Sequence, residues 1–168
     1  MRLIMFFIIS ASFFFSCKKT PPAPKANVII PEGFDFNGMT PAMAEQLIQG
    51  GDHIDYMFND FPLSMNQEGQ SSVYQDLNLI SPNPINGITE GCVPLARKIY
   101  LGKGEIITEA DLYFSNGCMF QVFLDNEKPV FGNFLSQSGI SYYTQLMEQA
   151  KQSMPAELRR VYEIPSQQ

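Results

Sequence analysis

The chain has one histidine, His53, and lacks a G-x-S-x-G motif, a C-x-x-C pair and a glycine-rich phosphate loop. Each absence closes a route to function. A lone imidazole with no second soft ligand nearby is a poor start for zinc, which takes several ligands from Cys, His and carboxylate. Without a nucleophile elbow, serine-hydrolase chemistry has no support. Ser81, Ser115 and Ser138 fall where turns and helix caps favour serine. The missing C-x-x-C removes a thioredoxin-like redox role. Gly102-Lys103-Gly104 is too short to cradle a phosphate and reads as a hairpin turn.

Basic charge is scarce in the body of the chain. Residues 26–168 hold 7 Lys+Arg against 17 Asp+Glu, which argues against a nucleic-acid partner, since such partners need clustered Lys and Arg. The acidity itself reads as solubility. Apolar runs long enough for a membrane-spanning helix, about twenty residues, are also absent. The longest is the fourteen-residue stretch Leu3–Ser16, broken only by Ser10, Ser12 and Ser16.

That stretch follows Met1-Arg2 and ends in FFFSCKKT. A short positive start and a compact apolar region make a secretory signal peptide. Ser16-Cys17 at its end resembles the cleavage site of the bacterial lipoproteins, although Phe14 and Phe15 stand where that pattern has Leu and a small residue. The resemblance implies cleavage before Cys17 and acylation of its thiol. Cys17 then becomes the attachment to the lipid bilayer, each buried methylene adding about 0.8 kcal/mol. It also implies a place in the bacterial cell envelope. Lys18 stands where Asp would signal inner-membrane retention in some lineages, which favours the outer membrane.

Three segments follow: residues 1–16 as signal peptide, 17–33 as a lipidated Pro-rich tether, and 34–168 as one globular domain. The tether is basic through Lys18, Lys19 and Lys25, suited to an anionic lipid surface. Pro-rich composition makes it an extended spacer. Beyond Cys17 remain Cys92 and Cys118. In an oxidising compartment they form a disulfide; two buried thiols or a metal site are the alternatives. A bond closing this loop of about 27 residues would contribute about 3.5 kcal/mol in the chain-entropy model.

Within the domain, Thr40-Pro41 opens a helix that carries Met43, Ala44, Leu47 and Ile48 on one stripe and stops at Gly50-Gly51. DHIDYMFNDFPLSM fits neither period. SSVYQDLNLI alternates weakly, as a strand would, and Ser81–Gly91 is dense in Pro, Asn and Gly, as a long loop would be. A strand is expected over Ala96–Leu101. The next thirty residues read as an antiparallel meander, its hairpin turned at Asn116-Gly117. A two-residue loop there pairs Ser115 with Cys118, Phe114 with Met119 and Tyr113 with Phe120. Both faces of that hairpin are apolar, so it is central and covered twice. Ser138 is placed as cap of an amphipathic helix ending at Pro155, and PAELRRVYEI follows as a short helix. The fold class is α+β: a meander of about three to five strands packed on the C-terminal helix, with a short N-terminal helix.

Candidate chemistry centres on GGDHIDYMFND, where His53 lies between Asp52 and Asp55. Such a cluster could hold a divalent metal or make His53 a base; a helix-terminal loop with solvated acidic residues is the plainer account. Glu109 and Asp111 share a strand face at about 7 Å, a spacing open to a glycosidase pair or to plain surface acidity. Met43, Met119, Met147 and Met154 take core positions rather than a copper site. The aromatic residues of the meander are core, or a binding face if the sheet is covered on one side only, with Ser81–Gly91 as its rim. The sequence therefore favours a non-enzymatic envelope lipoprotein with no cofactor, binding a partner protein or small ligand. The alternative is a small periplasmic hydrolase or metal-dependent enzyme centred on His53.

Overall fold

The computed structural model describes residues 27–59, 64–115 and 117–153. The expected signal peptide, Cys17, most of the expected tether, Met154, Pro155 and the terminal helix expected after it lie outside the described residues.

Alternating residues build a seven-stranded antiparallel sheet, larger than the three to five strands expected. Its strands are β2 (His53–Phe58), β3 (Ser64–Glu68), β4 (Ile80–Pro84), β6 (Ala96–Gly102), β7 (Glu105–Ser115), β8 (Cys118–Asp125) and β9 (Lys128–Leu135). Their order is β3-β2-β6-β7-β8-β9-β4. A separate ribbon pairs β1 (Val28–Ile29) with β5 (Ile88–Thr89). Three helices complete the fold: α1 (Pro41–Gly50), α2 (Gln70–Leu77) and α3 (Gln137–Ser153).

The β7–β8 hairpin has the expected register, Ser115 against Cys118, Phe114 against Met119 and Tyr113 against Phe120. Gly117 takes φ +80°, the left-handed conformation that such a turn demands. One face of the hairpin packs with the helices, where Leu112 and Phe123 join Leu47, Val73, Tyr143 and Met147. Its other face puts Tyr113, Cys118, Phe120, Val122 and Leu124 against Phe34 and Ile85. The hairpin is thus covered twice, and its aromatic residues are mostly core.

Several sequence expectations are corrected. Ser81–Gly91 is no rim loop: it holds most of β4 and all of β5, and Ile85 plugs the outer face at 2 % exposure. The Pro and Asn there are tolerated because β4 is an edge strand that pairs irregularly with β9. The unassigned DHIDYMF segment supplies β2, whose buried Ile54, Tyr56 and Phe58 alternate with half-buried or exposed side chains. SSVYQDL is helical rather than extended. Val73 and Asp76 are buried three residues apart on one helix face, and counting Asp76 as polar hid that stripe. Ser136 rather than Ser138 caps α3, accepting from Gly139 N–H at 3.1 Å. Met43 is exposed rather than core.

Thr40 caps α1 as expected, its Oγ1 accepting from Met43 N–H at 3.2 Å. Thr40→Ala is expected to cost about 1 kcal/mol, read from the denaturant midpoint. Cys92 and Cys118 form a disulfide with Cα atoms 5.8 Å apart, tying the segment after β5 to the start of β8. Among the described residues no helix is long and apolar enough to cross a membrane.

Candidate functional site

Three places carry chemistry. The first is His53, the opening residue of β2. His53 and Asp55 point to the outer face of the sheet, and Asn66 reaches them from the paired position on β3. His53 Nε2 lies 3.1 Å from Asp55 Oδ1 and 2.7 Å from Asn66 Nδ2. Asp52 points elsewhere: its carboxylate accepts the Lys103 N–H in the β6–β7 turn at 3.1 Å. The expected trio is therefore a pair plus an amide. Among the described residues no three His, Cys, Asp or Glu side chains are grouped to hold a metal ion. Glu109 and Asp111 do share a face, but Arg97 sits between them. Its guanidinium donates to Asp111 at 2.9 and 3.2 Å and to Glu109 at 3.3 Å.

The second place went unread in the sequence. Lys98 on β6 points into the helix-covered core, and so does Asp76 on α2; both side chains are fully buried. Lys98 Nζ donates to Asp76 Oδ1 at 2.7 Å and to Gln121 Oε1 at 2.6 Å. Three phenols converge on the same carboxylate. Tyr56 and Tyr143 donate to Oδ1 at 2.6 and 3.3 Å, and Tyr100 donates to Oδ2 at 2.5 Å. Gln121 Nε2 closes the circuit by donating to the Tyr100 oxygen at 2.9 Å. The ammonium also lies 5.2 Å from the ring centres of both Tyr56 and Tyr143, a favourable cation–π distance. No buried side-chain N or O among the described residues lacks a partner.

Burial lowers the Lys98 pKa, with Asp76 pulling it back up. Burial, reinforced by the Asp76 charge, pushes Tyr56, Tyr100 and Tyr143 well above 10.0. A phenol whose folded pKa is raised stabilises the fold fully below its unfolded pKa, and that contribution is lost as pH climbs through the folded value. Lys98 works the other way, favouring the fold more as pH rises towards its unfolded pKa. Three phenols outweigh one amine. Stability is expected to fall steeply above about pH 10, with the phenolate absorbance that Tyr56→Phe, Tyr100→Phe or Tyr143→Phe removes appearing together with loss of structure. That part of the absorbance appearing well before unfolding would show that the cluster is open to solvent, exposed tyrosines such as Tyr74 being common to all the proteins compared.

The third place is an apolar groove of about 170 Å³ between α1 and β7. Its lining includes Phe123 and Phe131, stacked with ring centres 4.8 Å apart. Met39, Met43, Leu47 and Ile107 contribute further apolar lining. Ile107 is the extra residue of a bulge, since Leu101 pairs with Ile106 and Tyr100 with Thr108. Bulges re-aim side chains in this way, and here the result is an isoleucine 43 % exposed beside Met43 at 37 %. A bulge leaves no mark in composition, which is why the groove was not foreseen.

No family model, no curated protein and no solved structure matches the chain.

Proposed function

We propose that this chain is a non-enzymatic lipoprotein of the bacterial envelope, acylated at Cys17, whose α+β domain binds a partner protein through the α1–β7 groove. The groove is the observation that carries the reading. Its volume is nearer that of a benzene-sized cavity than of the roughly 300–1,000 Å³ sites that enclose drug-sized ligands. It therefore suits one or two apolar side chains of a partner, or a small apolar ligand. The buried Lys98–Asp76 pair has no such opening, its side chains being fully enclosed, so it offers no place for an external ligand.

The test is capture from envelope extracts by the full-length protein, followed by the same experiment with Ile107→Glu. A charge in an apolar contact is expected to weaken binding at least tenfold, while the melting temperature changes little because Ile107 is exposed. Identical capture by both proteins would remove the groove from consideration. The N-terminal peptide of the wild-type protein is expected to begin at Cys17 and to carry the added mass of the lipid, which Cys17→Ala removes; an unmodified Cys17 in the wild-type protein would refute acylation there.

The alternative is an envelope hydrolase or metal-dependent enzyme centred on His53, supported by the His53–Asp55 contact. His53→Ala separates the readings. A binding module keeps its capture and stability, whereas an enzyme loses turnover or bound metal.

A further inference from the structure

We propose that Lys98 and Asp76 become joined by an amide bond, an autocatalytic cross-link tying β6 to α2. The two reactants are already in contact at 2.7 Å in a site with no exposed side-chain surface. Holding two groups in contact supplies much of the entropy that a bimolecular condensation would lose. Excluding bulk water disfavours hydrolysis of the product. The ion pair also contains everything the reaction needs.

A proton passes from the Lys98 ammonium to Asp76 Oδ1, leaving a neutral amine beside a carboxyl group, and burial favours that uncharged pair. The amine lone pair attacks Cγ, forming the C–N bond. Tyr100, which donates to Oδ2, stabilises the oxygen that carries the negative charge in the tetrahedral intermediate. The Cγ–Oδ1 bond then breaks. Oδ1 leaves as water with two of the three ammonium protons, the third remaining on the amide nitrogen. Nothing is oxidised or reduced, and no co-reactant enters. Tyr56 and Tyr143, already donating to Oδ1, line the place where that water forms. Gln121 Oε1, now an acceptor for Lys98 Nζ, would accept the amide N–H, and Tyr100 would hold the amide oxygen. Raised pKa values keep the three phenols protonated and able to donate.

The test is mass spectrometry of the full chain, purified after folding, with its disulfide reduced. The cross-linked protein is lighter by one water. Its digest is diagnostic because no Lys or Arg lies between Lys25 and Arg97. Trypsin does not cut after an acylated lysine, so the peptide Lys98–Lys103 should stay attached to Ala26–Arg97 through Asp76. A succinimide elsewhere would also lose water but would leave Lys98 cleavable, and finding that alone would count against the bond. Free Ile99–Lys103 in full yield, after long incubation of the folded protein, overturns the proposal. Tyr100→Phe is expected to slow the linkage by about a hundredfold, the scale of losing one oxyanion donor. Lys98→Arg should abolish it.

Discussion

Asp76→Leu is expected to destabilise the domain by about 5 kcal/mol and Lys98→Met by about 3 kcal/mol, an ordering set by what each change leaves behind. Removing Lys98 leaves a carboxylate that still accepts from Tyr56, Tyr100 and Tyr143, so its charge remains partly solvated by phenols. Removing Asp76 leaves an ammonium with Gln121 as its remaining hydrogen-bond acceptor and two tyrosine rings beside it. It also takes the acceptor from three buried hydroxyls at once, each unsatisfied phenol costing about 1–3 kcal/mol. The ordering applies to the ionic pair, in which Oδ1 accepts from Tyr56 and Tyr143 and Oδ2 from Tyr100. Denaturant midpoints at unchanged slope would measure it. If Lys98→Met proved the more damaging change, the phenols would not be the main support of the carboxylate.

That cluster also marks where sequence reading reached its limit. Alternation and turn chemistry made the β6–β9 meander legible, because Asn116-Gly117 and the apolar residues around it agree on one register. Thr40-Pro41 likewise marked α1. Lys98 and Asp76 defeated the same logic: each is charged, and each occupies a core position of its element. A charged residue at a buried position is recognisable only once its partner is known, and Asp76 lies 22 residues away on a different element. The groove failed for another reason. It depends on the one-residue bulge at Ile107, a departure from period two that hydrophobic patterning cannot register. His53 was visible as a candidate, but its expected companion Asp52 was assigned by sequence proximity. Along a strand neighbours face opposite ways, so Asp55 and the cross-strand Asn66 became its partners.

Replacing both Cys92 and Cys118 by serine is expected to cost about 3.5 kcal/mol, roughly a 10 °C fall in melting temperature for a domain of this size. The disulfide does more than shorten the unfolded chain. Cys118 begins β8, held in the sheet between β7 and β9, whereas Cys92 follows the two-residue strand β5. The bond therefore anchors a weak element to a strong one. Ile85, Phe34 and the disulfide itself cover the outer face of the hairpin, and the β1–β5 ribbon has little pairing of its own to hold that cover down. Without the bond, the cover should open before the sheet does. Hydrogen exchange ought to show protection falling first at the Ile85 N–H and at the N–H of position 92, which donate to Gly132 and Thr89, while β7 and β8 retain theirs up to global unfolding. Uniform loss of protection would mean that the cover and the sheet form one cooperative unit. An unchanged melting temperature would mean that Ile85 and Phe34 hold the cover unaided.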